Sequence, residues 1–193
     1  MYKALTLKKQ SWNEKYSEDE YALGIEPAEF LVEHIGRLTK GKALDIAMGE
    51  GRNAVYLTKK GYEVDGVEFS EEGIKKALAL AQKNNVTINA IRADLEKHEH
   101  RIEKEKYDLI SCFYYLQRDL FPEIKEGLKK GGMVICQTFT TDNLKYQPHP
   151  KNPDHVLQPN ELFRYFLDLR IIFYRECVLN NETAVASIIA QKI

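Results

Sequence analysis

The chain has 193 residues, of which 44% are hydrophobic and 30% are charged, a composition that suits a globular domain with one sizeable core. Its 28 lysine and arginine residues are balanced by 29 aspartate and glutamate residues, so no basic excess indicates nucleic acid or a membrane as a partner. The sequence has no signal-peptide pattern and no run of about 18 apolar residues. We therefore expect a single domain over residues 1–193 that acts in the cytoplasm on a small-molecule partner; the oligomeric state is not predicted.

The first 40 residues are predicted to form an N-terminal helical cap. Residues 11–20 indicate a short helix. Pro27 suits the first turn of a second helix, which ends before Gly41 and whose apolar residues share one face. These apolar residues are Phe30, Leu31, Ile35 and Leu38.

Strand and helix patterns alternate after the cap. Strands are predicted at 42–48, 62–69, 86–93, 107–115 and 133–139, and helices at 52–60, after Ser70, and at 120–128, the last closed by Gly131-Gly132. The helix after Ser70 is expected to bury Ile74, Ala77, Leu78 and Ala81. A short helix over 161–167 precedes two further strands, and Asn180-Asn181-Glu182 between them is a hairpin signal.

The predicted fold follows from this order of elements. Strands separated by helices require right-handed crossovers and give a parallel sheet that is covered on both faces. The fold class is therefore α/β, a Rossmann-like three-layer αβα sandwich. Its mostly parallel, seven-stranded sheet ends in a C-terminal antiparallel hairpin.

Residues 140–159 form a Pro-rich stretch that is predicted to lack regular structure. Loops of this length in a compact domain are usually functional or disordered, and this one leaves the carboxyl end of a strand. We expect it to form part of an acceptor-site wall or lid, with Tyr146, His149 and His155 as candidate substrate contacts. Ordinary exposed loop side chains would give the same residues.

The stretch GEGRNA, residues 49–54, follows the first strand of the predicted sheet, where α/β proteins bind ligands. Gly49 and Gly51 allow strained backbone angles and close approach of a ligand. The letters fit the dinucleotide fingerprint G-x-G-x-x-A, but Asp45 would repel a pyrophosphate, and the terminal hairpin leaves no second nucleotide-binding half. Glu68, at the end of the second strand, is placed to accept hydrogen bonds from a ribose, so a nucleoside without phosphates fits best.

These residues resemble a known family. Residues 45–51 resemble the first motif of the class I S-adenosylmethionine-dependent methyltransferases, Glu68 their ribose-binding acid, and Asp94-Leu95 their adenine-contact position. Within that superfamily, WNEKY, GEGRNAVYL and FYYLQRDLFP are similar to the small tellurite-resistance and thiopurine methyltransferase group. The resemblance implies S-adenosylmethionine as cofactor. The predicted cofactor site comprises Asp45, Ala47, Met48, Gly49, Gly51, Asn53, Glu68, Phe69, Asp94, Leu95 and Phe113, with Trp12 and Tyr16 closing over it from the N-terminal helix.

One position departs from the family pattern D-x-G-x-G-x-G. Ala47 holds the place of the first glycine, and an alanine methyl is accommodated if φ there is negative. We therefore expect altered cofactor affinity without loss of binding, and a positive φ at Ala47 would weaken the resemblance.

Methyl transfer is a displacement on a carbon that the sulfonium already activates, so no general base is obligatory. Phe113, Tyr114 and Tyr115 follow the fourth strand, and a sulfonium beside an aromatic face gains about 0.5–2 kcal/mol by analogy with cation–π contacts. We expect one of the three to touch ligand, and Tyr114 and Tyr115 are catalytic candidates. Arg118 is a third candidate that would neutralise an anionic acceptor, although pairing with an acid on the next helix is slightly favoured.

The acceptor is not selected by the residues themselves. The resemblance implies a chalcogen oxyanion such as tellurite or selenite, or a small thiol, while nitrogen and oxygen acceptors stay open. Two other functions also stay open, an NAD(P)-dependent reductase and a non-catalytic S-adenosylmethionine-binding module.

Neither a metal site nor a cysteine nucleophile is expected. His98 and His100 lie in a charged, surface-like stretch without a nearby cysteine. Cys112, Cys136 and Cys177 lie far apart in apolar runs and suit buried thiols in a reducing compartment.

Overall fold

The computed structural model describes residues 12–147, 150 and 152–193. A seven-stranded sheet has the order β3-β2-β1-β4-β5-β7-β6. The strands are β1 Lys42–Ile46, β2 Glu63–Glu68, β3 Asn89–Arg92, β4 Tyr107–Phe113, β5 Leu128–Phe139, β6 Arg170–Leu179 and β7 Thr183–Gln191. The pairs among β1 to β5 are parallel, whereas β7 pairs antiparallel with both β5 and β6.

Helices cover both faces of this sheet. They are α1 Glu29–His34, α2 Arg52–Lys59, α3 Glu71–Lys83, α4 Phe121–Gly127 and α5 Glu161–Tyr165, and residues 12–17 are also helical. The first three pack into one apolar core with one face of the sheet, and α4 and α5 pack into a second core on the other face. The predicted Rossmann-like three-layer fold is thus confirmed. Among the described residues, no helix is long and apolar enough to cross a membrane.

The C-terminal hairpin has the turn that its sequence predicts. Asn180 and Asn181 adopt positive φ values of 50° and 58°, which a two-residue hairpin turn requires and asparagine tolerates. The amide of Glu182 donates to the carbonyl of Leu179 at 2.9 Å. This hairpin places β7 between β5 and the edge strand β6.

Two details of the predicted helices were wrong. Leu78 is 45% exposed, because the buried face of α3 turns toward Ala77, Leu80 and Ala81. Helix α4 ends at Gly127, and β5 already begins at Leu128, so Gly131-Gly132 lies within a strand.

The prediction of a structureless stretch at 140–159 was also wrong for its described residues. Thr141–Lys145 and Pro153–His155 form 3-10 turns, and the amide of Leu157 donates to the carbonyl of Phe139 at 2.9 Å. Asn143 is fully buried, and its Oδ1 accepts from the amide of Ala184 in β7 at 3.0 Å. Hydrogen bonds to the end of the sheet therefore order these residues, for which the Pro-rich sequence predicted no regular structure.

Candidate active site

The glycine loop lies at the carboxyl end of β1 and runs into α2. Gly49 and Gly51 have positive φ values of 56° and 82°. A Cβ at Gly51 would lie 2.7 Å from the Cβ of Ala77 in α3, and one at Gly49 would lie 2.9 Å from the phenol oxygen of Tyr16. Both positions therefore favour glycine for conformation, and Gly51 also needs it for space, because its neighbours are the Cβ and Cα atoms of Ala77.

Ala47 does not have the negative φ that we expected. Its φ is +52°, because the chain leaves β1 in the left-handed region where the family pattern places a glycine. A non-glycine residue in that region is strained by about 1 kcal/mol. The strain is a property of this loop, and Ala47 departs here from the family pattern in residue type while keeping the backbone conformation of a glycine.

Met48 and Asn53 support the loop from two sides. A Cβ on Gly66 of β2 would overlap the sulfur of Met48, so the methionine side chain fills the space that this glycine leaves. The side-chain oxygen of Asn53 accepts from the amide of Ala28 at 2.9 Å and so connects α2 to the start of α1. Both residues are buried, and their predicted contact with cofactor stays a prediction.

Asp45, the penultimate residue of β1, is the buried acid of the site. The residue is only 1% exposed. Its Oδ1 accepts a 2.7 Å hydrogen bond from the hydroxyl of Ser111 in β4. Oδ2 is buried and has no partner among the described residues. Burial raises the pKa of Asp45 to about 7, although the hydrogen bond from Ser111, the positive charge of Arg52 and the backbone amide of Ala54 act in the opposite direction.

Glu68, at the end of β2, stabilises the glycine loop directly. Its Oε2 accepts from the amide of Gly49 at 2.9 Å, and Oε1 accepts from the amides of Phe69 and Ser70 at 3.0 and 2.9 Å. Burial raises the pKa of Glu68, while these three backbone donors lower it. The sequence predicted a ribose contact for Glu68, but it did not predict these hydrogen bonds, which connect the end of β2 to the loop after β1.

The predicted adenine contacts lie at the carboxyl end of β3. Asp94 caps a 3-10 turn over Leu95–Lys97, and both Asp94 and Leu95 are buried. The carbonyl of Leu95 accepts from the side-chain amide nitrogen of Gln117 at 3.1 Å. Oε1 of Gln117 accepts from the phenol of Tyr115 at 2.6 Å. The phenol of Tyr115 is thus connected to this turn through Gln117. The sequence did not predict this supporting role of Gln117.

Phe113 and Tyr114 lie at the end of β4. Phe113 is 8% exposed and lines a small cavity beside the glycine loop. Tyr114 is half-buried, has a positive φ of 57°, and accepts a 2.9 Å hydrogen bond from the side-chain amide of Gln137. The two adjacent aromatic residues therefore have different surroundings.

Arg118 makes the structural pairing that the sequence slightly favoured, although with a more distant helix. Its guanidinium donates to both carboxylate oxygens of Glu161 in α5, at 2.6 and 3.0 Å. It also donates to the carbonyls of Asp154 and Val156 at 2.8 and 3.0 Å. With its charge matched by Glu161, Arg118 holds the segment before α5 in place.

Two of the three predicted substrate contacts, Tyr146 and His155, lie at the ends of two different 3-10 turns. Tyr146 is 45% exposed after the first 3-10 turn of the segment. His155 ends the second turn, where its ring lies 3.4 Å from the amide nitrogen of Asn152. His149 lies outside the described residues. Their predicted role stays a prediction.

The N-terminal segment, residues 12–24, covers the glycine loop. The rings of Trp12 and Tyr16 are 5.4 Å apart, and Tyr16 is only 6% exposed. The side chain of Glu50 accepts from the amide of Ala22 at 2.7 Å and pairs with Lys76 at 2.9 Å. Burial is the main reason that the pKa of Tyr16 is raised. The segment is thus anchored to the loop itself.

The cavity beneath this segment is small, about 40 Å³. Pockets that take small ligands usually measure about 300–1,000 Å³, so a cofactor enters only if the covering segment or the Tyr16 side chain shifts. The cavity is lined by Tyr16, Leu23, Gly24, Ala47, Met48, Gly49, Glu50, Arg52, Asn53 and Phe113.

The chemistry of this site suits a ligand with a cationic group and exposed polar edges. The unpartnered oxygen of Asp45 is a buried acceptor for an ammonium group, and the loop around Gly49 presents backbone without side chains. Within the part of the chain that the structure describes, no group of three or more histidine, cysteine, aspartate or glutamate residues is arranged to hold a metal ion.

Comparisons with known proteins show what the chain is similar to. A family model described as tellurite resistance protein TehB matches residues 9–184. A Haemophilus influenzae protein named probable S-adenosyl-L-methionine-dependent methyltransferase TehB is 29% identical over 143 residues, which are 70% of this chain and 48% of that protein. A ubiquinone biosynthesis O-methyltransferase of Rickettsia bellii is 24% identical over 123 residues, 61% of this chain and 50% of that protein.

A solved structure shows the same fold. The crystal structure of TehB from Haemophilus influenzae matches with a TM-score of 0.69 and 24% identity, covering 84% of this chain and 61% of that chain. The chain spans about half the length of the curated relatives it matches.

Proposed function

We propose that this chain, which belongs to the TehB family of tellurite resistance proteins, transfers a methyl group from S-adenosylmethionine to a small-molecule acceptor. The observation that carries the proposal is Asp45, whose buried and unpartnered oxygen lies at the end of β1 beside the glycine loop. A carboxylate there attracts the ammonium group of the cofactor's methionine part. The same carboxylate would repel the pyrophosphate of a dinucleotide.

The remaining contacts of the cofactor follow from the positions of the strand ends. The Gly49 backbone allows close approach, Glu68 accepts hydrogen bonds from the ribose, and Leu95 packs against the adenine. Glu68 keeps this capacity because each carboxylate oxygen has two lone pairs, and the amide of Gly49 uses only one on Oε2. The cofactor supplies a methyl carbon activated by the sulfonium, and the protein supplies alignment and exclusion of water.

Cofactor entry requires movement of the N-terminal segment or of the Tyr16 side chain. Tyr16 occupies the space above Gly49, and residues 12–24 close the cavity to about 40 Å³. We infer that Trp12 and Tyr16 move outward and then close over the bound cofactor.

The acceptor is proposed from family membership, since the matching family is described by tellurite resistance. We propose an oxyanion of tellurium or selenium, or a small thiol. A reductase that uses NAD(P) is the alternative enzyme, and a non-catalytic S-adenosylmethionine-binding module is the alternative without chemistry.

A methyl-transfer assay separates these functions. Purified protein is incubated with methyl-labelled S-adenosylmethionine and a panel of thiols, selenite and tellurite, and the labelled product is counted. Transfer is expected with at least one acceptor and is expected to fall at least tenfold in Asp45→Asn. Asp108→Asn is the matched control, because Asp108 lies near the amino end of β4 and the site lies at the carboxyl ends of the strands. This variant is expected to keep the activity. Cofactor binding without transfer to any acceptor of this panel would contradict the proposed acceptors and favour the binding module.

A further inference from the structure

We propose that Tyr114 binds the methyl acceptor and that it selects an anionic nucleophile, a thiolate or an oxyanion, over a neutral amine. This inference rests on the proposed function and goes further by assigning the acceptor side of the site. The observations that carry it are a strained backbone, a buried hydrogen-bond relay and an arginine that forms no ion pair with a carboxylate among the described residues.

The backbone of Tyr114 is held in an unfavourable conformation. A bulky aromatic residue with a φ of +57° is a true outlier, and such strain persists only where the surrounding structure enforces it. The amide of Tyr114 donates to the carbonyl of Gln137 at 2.8 Å, immediately after β4 ends. The bend turns the tyrosine out of the strand direction at the end of the sheet where ligands bind.

A buried relay fixes the orientation of the phenol. The side-chain amide nitrogen of Gln137 donates to the Tyr114 oxygen at 2.9 Å, and Oε1 of Gln137 accepts from the hydroxyl of Ser187 at 2.9 Å. Gln137 is 2% exposed and Ser187 is fully buried. Because the phenol oxygen is used as an acceptor, its own O–H remains available to donate to a ligand.

The electrostatic surroundings favour an anion. The guanidinium carbon of Arg52 lies 6.0 Å from the centre of the Tyr114 ring, and Arg52 also lines the cavity beside the glycine loop. Among the described residues Arg52 donates only to backbone carbonyls, those of Leu23 and Glu26, and forms no ion pair with a carboxylate. Its charge acts on the nearby Asp45, whose pKa it lowers, but no described carboxylate forms an ion pair with it, in contrast to Arg118, which pairs with Glu161.

These groups define the chemistry of the acceptor. A thiolate or an oxyanion accepts the Tyr114 O–H through one lone pair, and Arg52 attracts its charge. A second lone pair forms the bond to the methyl carbon while the carbon–sulfur bond of the sulfonium breaks and its electrons remain on sulfur. An anionic acceptor needs no proton transfer in this step. An amine is disfavoured because the phenol hydrogen occupies its single lone pair and Arg52 repels its ammonium form.

Tyr114→Phe tests the role of the phenol, because the ring keeps its contact with Phe139 at 5.1 Å. We expect kcat/KM for a thiol acceptor to fall about 10- to 100-fold, the range for a hydrogen bond to a charged group. The affinity for S-adenosylhomocysteine should stay within about twofold. Tyr174→Phe is the matched control, since this phenol also makes a hydrogen bond but lies on the edge strand β6, and it should keep the wild-type rate.

Gln137→Glu tests the direction of the relay. A carboxylate accepts the phenol hydrogen and turns it inward, so this variant should lose transfer as severely as Tyr114→Phe while still binding S-adenosylhomocysteine. Wild-type transfer by Gln137→Glu would mean that the phenol already donates to Gln137, and this would overturn the proposal.

Competition between acceptors tests the selectivity in the unmodified protein. With a thiol and an amine of similar size, the wild-type enzyme should methylate the thiol at least tenfold faster, and Arg52→Gln should narrow that ratio. Preference for the amine, or full activity of Tyr114→Phe, would overturn the assignment while leaving methyl transfer established. Absence of transfer to every acceptor would overturn the proposed function itself, and this inference with it.

Discussion

The hydroxyl of Ser111 donates to Oδ1 of Asp45 at 2.7 Å and leaves Oδ2 of the same carboxylate buried without a partner. Ser111 and Asp45 face each other directly on the parallel strands β4 and β1. The pair fixes the carboxylate so that its second oxygen is available to a ligand. Burial raises the pKa of this carboxyl to about 7 in spite of the hydrogen bond from Ser111, so the charge state of Asp45 is sensitive to pH near neutrality.

Cofactor affinity should therefore depend on pH. A ligand ammonium stabilises the ionised carboxylate, so binding is coupled to loss of the proton, and affinity should rise as the pH increases through about 7. Calorimetric titration with S-adenosylhomocysteine between pH 5.5 and 8.5 measures this, with an expected gain approaching about tenfold per pH unit below the pKa. Asp45→Asn should bind weakly at every pH. An affinity of the wild-type protein that does not change over this range would contradict the role of Asp45.

Asp45→Asn should also stabilise the fold above neutral pH. In the unfolded chain the carboxyl ionises near its ordinary pKa of 3.8, whereas in the folded protein it holds its proton up to about 7. The folded state binds more protons between these values, so the free energy of unfolding falls as the pH rises through them. Removing the charge should raise that free energy by about 1–4 kcal/mol at pH 8 and by little at pH 4. Urea unfolding at the two pH values measures it.

Asp108→Asn is the control of opposite sign. Hydrogen bonds from Lys129 and from the amide of Lys42 hold the pKa of Asp108 below its ordinary value despite partial burial. This carboxylate therefore stabilises the fold when ionised, and its replacement should lower the free energy of unfolding at pH 8. A loss of stability in both variants would show that burial of the ionised Asp45 carboxylate does not destabilise the fold.

Much of the fold could be predicted because its signals are local. The alternation of apolar runs and amphipathic stretches predicted the strand and helix order, and Asn180-Asn181 predicted the hairpin turn. The order of the described residues within 140–159 could not be predicted, because it depends on hydrogen bonds to distant positions, from Ala184 to Asn143 and from Arg118 to the carbonyls of Asp154 and Val156. The exposed position of Leu78 depends on how α3 is rotated against the sheet, and a periodic pattern leaves that rotation uncertain by about one residue.

The candidate site was predicted in its positions more than in its contacts. The spacing of Asp45, Gly49 and Glu68 predicted three neighbouring groups at the carboxyl ends of β1 and β2, and the structure places them there. The sequence does not show that Glu68 accepts three backbone amides, because this depends on the fold of the following turn. Nor does it show that Ala47 adopts a positive φ.

Gly51→Ala should destabilise the protein more than a positive φ alone explains. Gly51 and Gly61 have similar φ values of 82° and 89°, but a Cβ at Gly61 meets nothing within 4 Å, whereas one at Gly51 meets Ala77. Gly61→Ala should cost about 1 kcal/mol from backbone strain. Gly51→Ala should cost a further 1–3 kcal/mol, roughly, from overlap with α3.

Thermal and urea unfolding of the two alanine variants give the comparison. The double variant Gly51→Ala with Ala77→Gly should recover part of the loss, because it removes the methyl group that is overlapped. Equal costs for Gly51→Ala and Gly61→Ala would show that the loop does not pack on α3 as described.

Arg118→Gln should loosen the segment that precedes α5. The lost guanidinium removes the side-chain donor to Glu161, which keeps only the amide of Gln158, and the donor to the carbonyls of Asp154 and Val156; this should lower the free energy of unfolding by about 1–3 kcal/mol. Limited proteolysis should cut within residues 140–159 faster than in wild type. Lys125→Gln, which breaks a more exposed pair with Asp168, should cost less than about 1 kcal/mol and leave the cleavage rate unchanged. Similar effects of both variants would contradict a specific role for Arg118.

Calorimetric titration of the protein with S-adenosylhomocysteine, and separately with NADH, tests the central claim most directly. The site described here predicts saturable binding of S-adenosylhomocysteine with a micromolar dissociation constant, loss of that binding in Asp45→Asn, and no binding of NADH. Binding of NADH alone would contradict the account, since the glycine loop would then hold a pyrophosphate despite the buried carboxylate of Asp45.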